Sequence, residues 1–155
     1  MSVPKSVVKV KKGGVEYTSN VDAAQYYIFE LNRAALRDVA KFVKKTFRES
    51  FYTYFERHSG DAGRATSSVV LSNKDTKYPR VEIGLKKSQL KGVYGYEQEF
   101  GTSVIPKLGL LRDAVEGNIA KIVEIESKYL SALEDEAQAL ALIDEGEYTD
   151  DGEKS

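Results

Sequence analysis

The chain has 155 residues, 41% apolar and 30% charged, with a formal net charge of −1 and no cysteine. Those values fit one ordinary domain with a real core and exclude collagen-like, mucin-like and wholly disordered chains. Disulfides, thiolate metal sites and cysteine nucleophiles are excluded too, and a single histidine, His58, excludes two-histidine zinc hydrolysis within one chain.

Met1–Lys5 lacks the apolar stretch of a secretion signal, so no export signal is expected there. Residues 6–18 then read as a β-hairpin arm. Val7, Val8 and Val10 are β-branched, Lys12-Gly13-Gly14 supplies the turn, and Val15 to Thr18 alternate on the return. Lys5, Lys9, Lys11 and Lys12 beside these valines suit an exposed edge that a partner's strand could complete.

Ser19-Asn20-Val21-Asp22 has the spacing of a capping box, which predicts a helix from about residue 21. No glycine or proline interrupts it before Ser59-Gly60, allowing about 55 Å at 1.5 Å per residue. Ala24, Ile28, Leu31, Ala35, Val39 and Phe42 share one face. Beyond Lys44-Lys45 the bulky positions become Phe47, Phe51, Tyr54 and Phe55, displaced by more than a quarter turn. Two halves packing on different partners are expected. Val8, Val10, Phe47, Phe51, Tyr54 and Phe55 are the candidate subunit-interface residues. Arg33, Arg37, Lys41, Lys44, Lys45 and Arg48 form a basic stripe on the same helix. It would suit phosphates or an acidic partner, and it carries the alternative reading of a nucleic-acid-binding regulator. A solvated or neutralised face is the simpler expectation, since Glu30 lies within it. His58 is expected to cap the end of the helix.

Residues 58–68 read as a polar turn, and strands are predicted at 67–72 and 80–85. Their hairpin is expected to join the N-terminal ribbon in one small antiparallel sheet. Residues 86–106 read as loop-rich because of Gly92, Gly95 and Gly101. A second long helix is predicted from about Lys107–Leu110, with Leu111, Val115, Ile119, Ile122, Ile125, Tyr129, Leu133, Ala137 and Leu140 at spacings of three or four. Asp144 to Ser155 is acidic and is predicted to be a mobile tail in a free monomer. The fold class is therefore α+β, a small antiparallel sheet packed with two long amphipathic helices. Residues 1–143 are expected to form a single domain.

Charge divides along the chain. Residues 1–112 hold 20 Lys+Arg against 11 Asp+Glu, and residues 113–155 hold 3 against 13. Opposed halves suggest internal neutralisation or head-to-tail contact between copies. Catalytic signals are poor. Glu97 and Glu99 lack a pocket that would raise one carboxyl, and Asp150, Asp151 and Glu153 lack the spacing of a calcium loop. Gly60 to Gly63 follow a helix and so are not a phosphate loop. No enzyme activity, metal or cofactor is expected.

Residues 94–116 carry the most specific pattern. Tyr96, Glu99-Phe100-Gly101-Thr102, Pro106, Leu110 or Leu111, and Ala114 together resemble the signature of tail-completion or head–tail joining (neck) proteins of long-tailed bacteriophages. Asp61, Gly63 and Ser67 or Ser68 keep part of an upstream loop of that family, without its Thr and Leu. The resemblance implies a non-enzymatic virion protein that assembles as a ring, hexameric in order, at the neck or upper tail. Its implied partners are copies of itself, the head-completion or connector protein and the tail-tube protein, with passing contact to DNA in the lumen. In physical terms, Gly101 suits a positive φ, Phe100 is expected to anchor the turn in the core, and Pro106 to set the start of the last helix.

Overall fold

The computed structural model describes residues 3–5, 7–12, 15–55, 65–72, 78–86 and 90–148, with side chains throughout except at 7–12, 15–17, 90–94 and 145–148. Strands β1 (Val7–Lys12) and β2 (Val15–Ser19) lead into helix α1 (Val21–Tyr54). Strands β3 (Thr66–Leu71) and β4 (Arg80–Leu85) follow, then helices α2 (Leu90–Phe100), α3 (Leu110–Glu116), α4 (Ile119–Ser131) and α5 (Glu136–Tyr148). The class is mixed helix and antiparallel strand, as the sequence implies.

Helix α1 is continuous, and its apolar residues explain the architecture. Leu31, Ala35, Val39, Val43, Phe47 and Phe51 are buried at a strict spacing of four. Each step of four overshoots a full turn by about 40°, so the stripe winds through about 200° from Leu31 to Phe51. The two halves accordingly build different cores. Leu31, Ala34 and Ala35 pack with Tyr129 of α4, Ala132, and Ala139 and Ile143 of α5. Val39, Val43, Phe47 and Phe51 pack with Ala114 of α3, flanked by Ile83 and Leu85 of β4 and by Leu110 and Leu111. Ile125 touches both clusters.

The helix starts without its expected box. Asn20 holds the N-cap position, makes no side-chain cap bond, and Ser19 ends β2. The end, expected near residue 58, comes at Tyr54, where Phe55 turns extended. His58 and most of the turn expected at 58–68 lie outside the described residues, as do Gly13 and Gly14.

The two hairpins do not share a sheet. Among the described residues β1 pairs only with β2, and β3 only with β4. The reason is geometric: α1 carries the chain about 50 Å between Ser19 and β3, so the hairpins sit near opposite ends of it. β3 and β4 pack on α1, whereas among the described elements the β1–β2 ribbon has no more than marginal contact with any other. A bulge between Val8 and Val10 interrupts its ladder.

The region 86–106, expected as loop, contains the 11-residue α2. The single long last helix is instead three. Gly117 ends α3 by donating to the Asp113 carbonyl at 2.9 Å, and Asn118 Nδ2 bonds the Ala114 carbonyl at 3.1 Å. A second break follows the 3₁₀ turn at Ala132–Glu134, where Asp135 turns extended and its Oδ1 accepts from Ala137 N at 2.9 Å, capping α5. That break lets α5 return along the first half of α1. Residues 144–148 of the expected tail are thus helical; 149–155 lie outside the described residues.

Polar links pin the layers. Tyr129 donates its hydroxyl to Asp38 Oδ2, and Tyr27 donates to Glu136 Oε1 at 2.5 Å. The latter bond, to an anionic acceptor, pushes the Tyr27 phenol up to about 12.

Phe47 is enclosed where α1 meets the second cluster, so Phe47→Ala is expected to cost about 3–5 kcal/mol. Urea unfolding followed by circular dichroism measures it; a loss below about 1 kcal/mol would contradict this packing.

Candidate functional site

The residues of the Glu99–Ala114 pattern meet at one corner between α2 and α3. Gly101 ends α2 with φ 76°, and its N–H donates to the Glu97 carbonyl at 2.7 Å. An added Cβ there would lie 2.9 Å from the Lys107 nitrogen. Thr102 Oγ1 accepts from Val104 N at 3.3 Å and Ile105 N at 3.0 Å, while Thr102 N donates to the Ile105 carbonyl at 2.8 Å. Leu108 N then donates to the Gln98 carbonyl at 2.8 Å, tying the turn back onto α2.

Helix α3 lacks a capping side chain of its own, because Gly109, in the left-handed region at φ 68°, holds its N-cap position. Glu99 supplies the cap from α2. Its Oε2 accepts from Leu111 N at 2.8 Å and its Oε1 from Arg112 N at 3.0 Å. These are the second and third amides of the helix, the pair that an N-cap side chain serves. The carboxylate is 8% exposed and also opposes the positive end of the helix dipole. Both oxygens of Glu99 are therefore engaged in holding α3 to α2. Ala114, one turn on, is buried against α1.

Two expectations for this corner are corrected. Phe100 does not anchor the core: it is 55% exposed and packs its ring, tilted by 41°, against Tyr96, centroids 4.6 Å apart, on the outer side of α2. The four-residue spacing puts both rings on one helical face, and the core side of α2 is taken by Gln98 and Glu99. The helix begins at Leu110, within the expected range, but four residues after Pro106 rather than directly from it. Gly109 and the Glu99 cap set its start instead.

The basic stripe of α1 is largely engaged within the chain. Arg33 Nη1 bonds both carboxylate oxygens of the buried Glu30, at 3.1 and 2.9 Å. Lys41 lies 3.7 Å from Asp38 and Lys45 3.9 Å from Glu49. Lys44 is buried and Arg37 and Arg48 are half-buried. The expected interface residues also divide. Phe47 and Phe51 are core, because the winding stripe carries them under β4 and α3, and Phe55 packs on Phe51 at 4.6 Å. Tyr54 is exposed. The side chains of Val8 and Val10 lie outside the described ones. Among the described residues no group of His, Asp and Glu could hold a metal, and no helix is long and apolar enough to cross a membrane.

Sequence reasoning missed the second face of α4. Ile122, Ile125 and Tyr129 pack inward. Ile119, Val123, Leu130 and Leu133, a quarter turn or so away, are 58, 52, 63 and 41% exposed. Ile28 of α1, expected to be covered, is 51% exposed and lines one groove with Leu130, Leu133 and Glu126. The signal in the sequence was Val123 and Leu130, two large apolar residues that do not fit a single stripe.

No protein-family model, curated protein or solved structure matches the chain.

Removing the remote cap strands two amides of α3. Glu99→Ala is expected to cost about 1–3 kcal/mol, Glu99→Gln less, because one amide oxygen still accepts. Gly101→Ala is expected to destabilise through both its φ and the contact with Lys107. Chemical denaturation of the three variants checks the order; an unchanged midpoint for Glu99→Ala would remove the cap from the account.

Proposed function

We propose that the chain is a structural protein of a long-tailed bacteriophage virion, acting at the neck or upper tail in tail completion, termination or head–tail joining. It works by assembling as a ring that connects the tail tube to the head connector. The observation that carries this reading is the corner. The residues shared with the neck-protein signature, Glu99, Gly101, Thr102 and Ala114, are the ones that fix α3 against α2 and α1. A closed ring needs one constant angle between successive contacts, and a corner locked by a buried carboxylate and a left-handed glycine supplies a stiff one.

Two further features support assembly. Tyr96, Phe100 and Val104 present apolar surface beside the corner, and an uncovered row on α4 adds more than scattered exposure would. The basic first part and acidic last part of the chain favour heterologous contact, which closes rings, and steer encounter more than they add affinity. The partners proposed are copies of the chain, the connector protein and the tail-tube protein, at the virion neck.

Sedimentation velocity and negative-stain microscopy of the intact chain test the reading. The expected result is annular particles several times heavier than the 17.3 kDa chain, at high concentration or on addition of the neighbouring neck and tail-tube proteins. A chain that stays monomeric under both conditions would overturn it.

A further inference from the structure

Two parts of the molecule are sparsely covered by the described residues, and their properties are opposite. Among the described elements, the β1–β2 ribbon packs on none other to more than a marginal extent, and a two-stranded ribbon is barely stable alone. Its sequence interleaves valines with Lys9, Lys11 and Lys12, against one acidic residue, Glu16. The second face of α4 is apolar and exposed along Ile119, Val123 and Leu130, continued by Leu133 of the 3₁₀ turn. Its acidic neighbours are Glu126, which lines the groove with Leu130 and Leu133, and Glu134 and Glu136, which line the adjoining groove with Ile28, Leu133 and, among the described residues, a single cation, the chain's own Lys5. Lys121 and Lys128 project from the other side of the helix, about half a turn away.

We propose that the β1–β2 ribbon of a second copy lies along this face of α4. Charge selects the pairing, since lysines among valines meet glutamates among isoleucine, valine and leucine. Length agrees as well: six residues of β1 span about 20 Å, and the row from Ile119 to Leu133 spans about 21 Å. An antiparallel pairing of α4 with itself is disfavoured, because the two-fold would set Glu126 against its own copy. Insertion of an arm into the next subunit is heterologous, the kind of contact that closes a ring. The inference rests on the self-assembly reading above and names the surfaces that carry it.

The cysteine-free sequence allows a direct test with introduced thiols. Val10→Cys chains are mixed with an equal amount of size-tagged Val123→Cys, Leu130→Cys or, as control, Lys121→Cys chains, and oxidised mildly. Val123, Leu130 and Lys121 are all exposed, and circular dichroism checks each fold. The mixed disulfide dimer is expected with Val123→Cys and Leu130→Cys and absent with Lys121→Cys. Yields equal to that control, in chains that still assemble by sedimentation, would overturn the contact and leave the ring reading standing. A cross-link formed within single chains of the dilute Val10→Cys, Val123→Cys double variant would make the ribbon's own α4 the occupant and overturn the second copy. Chains that never assemble would overturn both.

Discussion

A strict spacing of four cannot stay on one side of a helix with 3.6 residues per turn. The buried row from Leu31 to Phe51 therefore winds around α1, and the rest of the molecule is arranged to follow it. The first half of the row needs cover on one side and receives α4 and α5; the second half needs cover further round and receives α3, β3 and β4. The breaks at Gly117 and at Ala132–Asp135 are consequences of that demand, since one straight helix could not track a turning stripe. A short helix made by such a break has few internal bonds, which is why α3 depends on a carboxylate lent by α2.

The same arrangement leaves surplus apolar surface. Helix α4 spans the junction between the two clusters, with Ile125 touching both, and α1 can cover only one of its faces. The other face, with Ile28 beside it, remains open to water at a row of large side chains. Uncovered rows of this kind are a cost to a solitary molecule and an asset to a component of an assembly. The stiff corner at Glu99 and Gly101, the outward Tyr96–Phe100 pair and the divided charge point the same way. In the proposed neck ring, shape would carry the function.

Much of the fold was legible in the residues. The hairpin at 6–18, the long first helix with two differently packed halves, and the 80–85 strand follow from valine alternation, the absence of breakers and the drift between Ala35 and Phe47. Helix α2 was hidden because three glycines within ten residues outweigh local periodicity, while the tertiary contacts of Gln98 and Glu99 repay their cost. The division of the last helix was hidden for the opposite reason, a strong three–four periodicity running through Gly117 and Asp135. At the corner, the glycine was legible from its type. The role of Glu99 was not, because a cap lent across twelve residues leaves no local spacing to read. The open face of α4 could not be separated from the inner one until α1 showed which side it covers.

In the proposed assembly the open apolar face of α4 and the β1–β2 ribbon are covered between copies. Hydrogen–deuterium exchange of the intact chain across a range of concentrations measures this directly. The amides of Val7–Lys12 and Val15–Ser19 are expected to exchange fast when the chain is dilute and to slow markedly as concentration rises, while the core amides of α1 stay unchanged. Ribbon exchange that is the same at every concentration would contradict the account.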